Sequence, residues 1–143
     1  MIGSVTEPSL ARMLLEAFRS QDAEIEAMLR DRGIDLRPSH AAGLLLVDRG
    51  GTRLTDLAER AGITKQAMMQ SVDLLTEQGL VRRTQDPADA RAKIVRLTAK
   101  GLRQRAEARR AIASVEARDR RQLGDRRYEQ LRAMLTELSE GEE

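Results

Sequence analysis

The sequence predicts a mainly α protein with one small β-hairpin, on three observations. Apolar residues recur at helical spacing through both ends of the chain. Glycines punctuate the middle at Gly62 and Gly79, between short helical patterns. Two strand-like runs, Leu80-Val81-Arg82-Arg83 and Ile94-Val95-Arg96-Leu97, flank the turn-forming Asp86-Pro87-Ala88-Asp89.

The elements follow in order. Leu10, Met13, Leu14, Ala17, Phe18, Ile25, Met28 and Leu29 mark a long first helix, broken once by Gln21 and ended by Gly33. Pro38 suits a helix start, and Ala41 to Val47 reads as a short buried helix. Arg49-Gly50-Gly51 is a turn and Arg53-Leu54 a brief strand. Thr55 opens a helix to Ala61, with Leu57, Ala58 and Ala61 inward. Gly62 breaks it, Ile63 packs inward, and Thr64 caps a helix running to about Gln78. That helix turns Ala67, Met68, Ser71, Val72, Leu74 and Leu75 to the core. After the hairpin, Thr98 caps a charged helix whose thin stripe is Leu102, Ala106, Ile112, Ala113 and Val115. Gly124-Asp125 breaks the chain before a last helix with Tyr128, Leu131, Met134, Leu135 and Leu138 on one side. Ser139 to Glu143 reads as a frayed acidic tail.

Composition narrows the function. At 143 residues the chain makes one domain, 1–143, able to bury roughly two thirds of its unfolded surface. The core must be aliphatic, because Phe18 and Tyr128 are the only aromatic rings. There is no cysteine, which excludes disulfides, thiolate metal sites and thiol redox sensing by this chain. No apolar run is long enough for a membrane span, and no basic-then-apolar leader opens the sequence, so the expected compartment is the cytoplasm. His40 is the single histidine; without cysteine or a carboxylate pair beside it, it reads as a helix-start residue and not as a metal ligand. No nucleophile–base pair, phosphate-binding glycine loop or close-set acid pair accompanies it, so neither an enzyme nor a cofactor is expected.

Charge is informative through its distribution. The net charge is +2, yet Arg53 to Arg105 holds eleven basic and six acidic residues, a balance of +5 that leaves the remainder at −3. A basic centre between acidic flanks suits one face turned to a polyanion, though a solvated surface with chance clustering gives the same count. Two short helices joined by Ala61-Gly62-Ile63 read as a helix-turn-helix. Its second helix would sit in the major groove of double-stranded DNA with Thr64, Lys65, Gln66, Met69 and Gln70 outward. Gln bonds adenine edges, Lys reaches guanine or phosphate, and Thr and Met touch thymine methyls. At the hairpin tip Arg91 can enter the minor groove, Lys93 and Arg83 can reach phosphates, and Asp89 can orient the Arg91 guanidinium.

Leu57-Ala58, Val72-Asp73-Leu74-Leu75, Gly79-Leu80-Val81, Arg83, Asp86-Pro87-Ala88-Asp89, Arg91 and Leu97-Thr98 with Gly101 stand in an order and spacing that resembles the MarR family of bacterial transcription regulators. The resemblance runs over nearly the whole chain. It implies a winged helix-turn-helix lobe over about 38–98, flanked by dimerisation helices over about 10–36 and 99–139. It further implies a homodimer on a pseudo-palindromic operator, with repression relieved by a small aromatic or phenolic ligand. The candidate ligand lining is Leu14, Phe18, Ala42, Leu45, Leu46, Met68 and Val72, which plain core packing explains equally well. Two departures stand out. Ala90 replaces a frequent second wing Arg, and Met69 and Gln70 replace a common Thr and Arg, so direct readout here is more apolar and phosphate anchoring weaker. Three alternatives stay open: the amphipathic ends fold on each other as a monomeric bundle, the winged helix binds a protein partner, or the chain is a small-molecule binder with vestigial DNA contacts.

Overall fold

The computed structural model describes residues 6–37 and 40–141. Among these residues, six helices and three strands follow in the order α1 (Leu10–Asp31), α2 (Ala42–Leu45), β1 (Thr52–Arg53), α3 (Leu54–Ala61), α4 (Lys65–Glu77), β2 (Val81–Asp86), β3 (Asp89–Leu97), α5 (Ala99–Leu123) and α6 (Asp125–Glu140). The sheet is antiparallel with order β1-β3-β2, so the hairpin strand β3 is central. Val81 faces Leu97 and Arg83 faces Val95 in the β2–β3 ladder, while β1 pairs Thr52 with Val95. No helix among the described residues is long and apolar enough to cross a membrane.

Local chemistry sets the boundaries. The Thr64 hydroxyl accepts from the Ala67 N–H at 3.1 Å, and the Thr98 hydroxyl from the Gly101 N–H at 3.0 Å, each filling an orphan donor of a helix start. At the end of α3, Gly62 takes φ 65°, and the N–H groups of Gly62 and Ile63 return to Glu59 and Ala58. This left-handed closure reverses the chain within two residues and sets α4 across α3.

Leu29, Leu36, Leu44, Leu57, Met68, Val72, Leu75, Leu80, Val81 and Val95 form the core. They come from α1, α2, α3, α4, the sheet and the connections at Leu36 and Leu80, and Ala108 and Ala111 of α5 complete the cluster. Helix α5 lies against this lobe through small residues. A Cβ at Gly101 would overlap the Leu80 carbonyl oxygen, so only glycine permits the approach.

Several expectations need correction. Thr55 does not cap α3; the helix starts one residue earlier, at Leu54, with Arg53 in the cap position and no side-chain cap bond. The short second helix is a single turn, Ala42–Leu45. Ile63 and Leu74, expected inward, are 40% and 42% exposed. On α4 the positions Met68, Ser71, Val72 and Leu75 already complete an i, i+3, i+4, i+7 face, and Leu74 lies off it. On α5 the buried residues are Gly101, Arg105, Ala108, Ala111 and Val115, while Leu102, Ala106 and Ala113 face outward. Size misled the reading there, because close packing selects small residues. Ser139 and Glu140 are helical and not frayed. Pro38 and the last two glutamates lie outside the described residues.

Candidate nucleic-acid interface

Helix α4 presents the five expected residues outward. Thr64, Lys65, Gln66, Met69 and Gln70 are all exposed, Met69 at 44%, while Met68 between them is fully buried. The amphipathic split is thus sharp at the start of the helix, where base edges are read in helix-turn-helix proteins.

The hairpin turns at Pro87–Ala88. The Asp86 carboxylate folds this turn by accepting from the Ala88 N–H at 2.9 Å. Arg91 and Lys93 are therefore not at the extreme tip. Gln85 pairs with Lys93 and Asp86 with Asp89, so β3 carries three extra residues, Ala90, Arg91 and Ala92, against one step of β2. Such a bulge re-aims the side chains it contains, and Arg91 is at its middle. Gln85 ties the bulge down by donating from Nε2 to the Ala90 carbonyl at 2.9 Å. Asp89 accepts from the Arg91 backbone N–H at 3.0 Å; it fixes the Arg91 main chain, in place of the expected guanidinium contact.

Between bulge and helix runs a cleft of about 210 Å³ lined by Arg53, Leu54, Thr55, Lys65, Met69, Arg91, Ala92 and Lys93. Four cations and no acid among the described residues line it. Among the described residues, Lys65, Arg91 and Lys93 take part in no ion pair, so their charge faces solvent. Arg83, expected at phosphates, ion-pairs instead with Asp73 of α4 and straps β2 to that helix. Sequence reasoning missed Arg53. Its Nη2 lies 2.6 Å from the Asp86 carboxylate, which is 7% exposed. The Ala88 N–H foremost, and Arg53 beside it, hold the Asp86 carboxyl below the usual carboxylate range against the opposing effect of burial.

The expected ligand lining does not assemble in the protomer. Met68 and Val72 are 0% exposed core and have no free surface to offer. Leu14 and Phe18 lie on the outward part of α1, and Ala42, Leu45 and Leu46 are half-buried around α2. His40 is half-buried just before α2, beside a cleft shared with Asp35, Arg37, Leu74 and Gln78.

Helices α3 and α4 with their glycine turn, followed by the β2–β3 hairpin against β1, define a winged helix-turn-helix. Residues 34–92 match the MarR family. A curated relative, the transcriptional regulator HosA of Escherichia coli O111:H-, is 37% identical over 65 residues, which is 46% of this chain and 48% of HosA. The match thus spans about half the length of that relative. The transcriptional repressor CouR, solved on a 23-mer DNA duplex, superposes with a TM-score of 0.82 at 27% identity over 97% of both chains; CouR comes from Rhodococcus jostii RHA1. The S. aureus MepR–DNA complex superposes equally well, TM-score 0.82, at 19% identity over 94% of this chain and 98% of that one, a likeness of fold. The winged-helix segment thus matches the MarR family over residues 34–92, and the fold of the chain is that of the winged-helix transcriptional regulators it superposes on.

Proposed function

We propose that the protein is a sequence-specific DNA-binding transcriptional regulator, a homodimeric repressor of a pseudo-palindromic operator. One observation carries this reading: the exposed face of α4 and the bulged Arg91 flank a cleft on which Lys65, Arg91 and Lys93 stand without an ion pair among the described residues. Here Asp86 pairs with Arg53 and Asp89 bonds a backbone N–H, which leaves the Arg91 side chain free for a minor groove. Gln66 and Gln70 supply base-edge donors and acceptors, Met69 an apolar contact for thymine, and Lys93 the unpaired phosphate contact, Arg83 being engaged by Asp73. The repressor named at 27% identity on its duplex supports the same reading.

The dimer rests on the helical ends. Among the described residues, nine of the thirteen exposed large hydrophobics lie on α1 and α6: Leu10, Met13, Leu14, Leu15 and Phe18 on one, Leu131, Met134, Leu135 and Leu138 on the other. A second copy covers both stripes and spaces two recognition helices about one DNA turn apart. A small aromatic or phenolic effector is part of this reading, its available surface being Leu14, Phe18, Ala42, Leu45 and Leu46. Hydroxybenzoates added to the protein–DNA mixture test that part: release of the duplex supports it, and no release by any of them removes it.

Fluorescence anisotropy against the DNA upstream of the protein's own coding sequence, with a scrambled duplex and a salt series, tests the function. Binding that beats the scramble by about 10³ and weakens steeply with salt is the expected result. Equal, weak binding to both duplexes, with tight binding to a protein partner, would favour a protein-docking winged helix.

A further inference from the structure

We propose that Arg53 is a positioning residue that fixes the angle of the wing against the recognition helix, a role that rests on the DNA-binding reading above. Arg53 belongs to two substructures at once. It is the second residue of β1 and the cap position of α3, so its backbone is fixed to the helix-turn-helix. Its guanidinium reaches Asp86, the last residue of β2, at 2.6 Å. In the sheet β3 lies between those strands, and Arg53 stands opposite Ile94 while Asp86 lies two residues beyond Thr84, which also faces Ile94. The ion pair therefore spans the central strand toward the turn, beside the bulge that carries Arg91. Ala92 of that bulge and Arg53 line the same cleft.

The far end of a two-stranded hairpin beyond its last ladder pair has little else to hold it. Two bonds converge on Asp86: the Ala88 N–H closes the turn, and Arg53 ties the closed turn to α3. Asp86 is 7% exposed, and a carboxylate at that depth is retained where its partner is fixed. Because the Arg53 charge is spent on Asp86, it adds position and not phosphate attraction, which separates it from Lys65 and Lys93 on the same cleft.

The test uses the full chain and a duplex that the wild-type protein enriches from a random library. Arg53→Met should bind that duplex about tenfold more weakly, the lower end of the cost of losing a base-reading arginine, with binding to a scrambled duplex and the salt slope unchanged. Hydroxyl-radical protection at the outer minor grooves should fade while guanine N7 protection under α4 persists, and Arg53→Lys should restore the outer protection. Asp86→Asn keeps the acceptor for Ala88 but frees the Arg53 charge; it should lose the same outer protection and steepen the salt slope by about one phosphate contact. Arg53→Met with wild-type discrimination and footprint overturns the inference. So does Arg53→Met with equal losses on both duplexes and a slope shallower by about one, the mark of a plain phosphate contact. Failure of the wild-type protein to enrich any duplex overturns the DNA-binding reading itself, before any variant is made.

Discussion

In the winged lobe Leu44, Leu57, Met68 and Val72 expose none of their surface, whereas Leu10, Phe18, Met134 and Leu138 in the helical ends are more than half exposed. The side chains are of one kind; what differs is where their partners lie. The lobe's core is complete within the protomer, with Leu29 of α1 and Ala108 and Ala111 of α5 joining residues from Ile34 to Val95. Of α6, only Tyr128 is buried, held under Arg120, whose guanidinium carbon lies 4.5 Å from the ring centroid. The lobe is packed as a finished unit, whereas the ends leave apolar stripes uncovered.

Six variants break or sharpen that contrast. The largest effect is expected from Phe18→Glu with Leu135→Glu, which puts charge on both uncovered stripes. The protein should sediment as a monomer and bind its operator about 10²-fold or more weakly, since a dimer's second half-site then no longer counts, while its circular dichroism stays helical. Next, Leu57→Ala hollows the closed lobe and should cost about 2–5 kcal/mol in urea unfolding. Leu138→Ala, by contrast, should act through association, so that its cost changes with protein concentration. Third, Arg91→Ala should weaken operator binding by about 1–3 kcal/mol without altering the oligomer, and Gln66→Ala should cost less while shifting base preference, both read by anisotropy. The smallest effect concerns acid. Asp86 has its folded carboxyl held below the ordinary value, so its contribution is present above the unfolded pKa of about 3.9 and lost as pH falls through the folded one. Wild type should melt above Asp86→Asn at neutral pH, and the gap should close in strong acid.

Much of the lobe was legible because its signals are local. Thr64 and Thr98 cap the helices they precede, Gly62 reverses the chain, and Val81 to Arg83 pair with Val95 to Leu97 around an Asp-Pro turn. The outward face of α4 followed from the same periodicity. What stayed hidden depends on contacts distant in sequence or on backbone detail. The three-residue bulge that aims Arg91 is a matter of register, which composition does not encode. Arg53 sits in a two-residue strand, and its partner Asp86 is on a strand it does not pair with. The buried face of α5 escaped notice because Gly101, Ala108 and Ala111 fit by being small, and because Arg105 is buried there with its guanidinium donating to the Val47 carbonyl at 2.7 Å. Arg105 is the kind of residue that periodicity assigns to solvent; capping the carbonyls after α2 is what admits it.

The most direct test of the contrast is native mass spectrometry of the protein alone and on its enriched duplex. A self-sufficient lobe with unfinished ends predicts a two-chain species in solution and two chains on each duplex. A single chain in solution and a single chain on each duplex would contradict it, because the stripes of α1 and α6 would then be uncovered in the working complex.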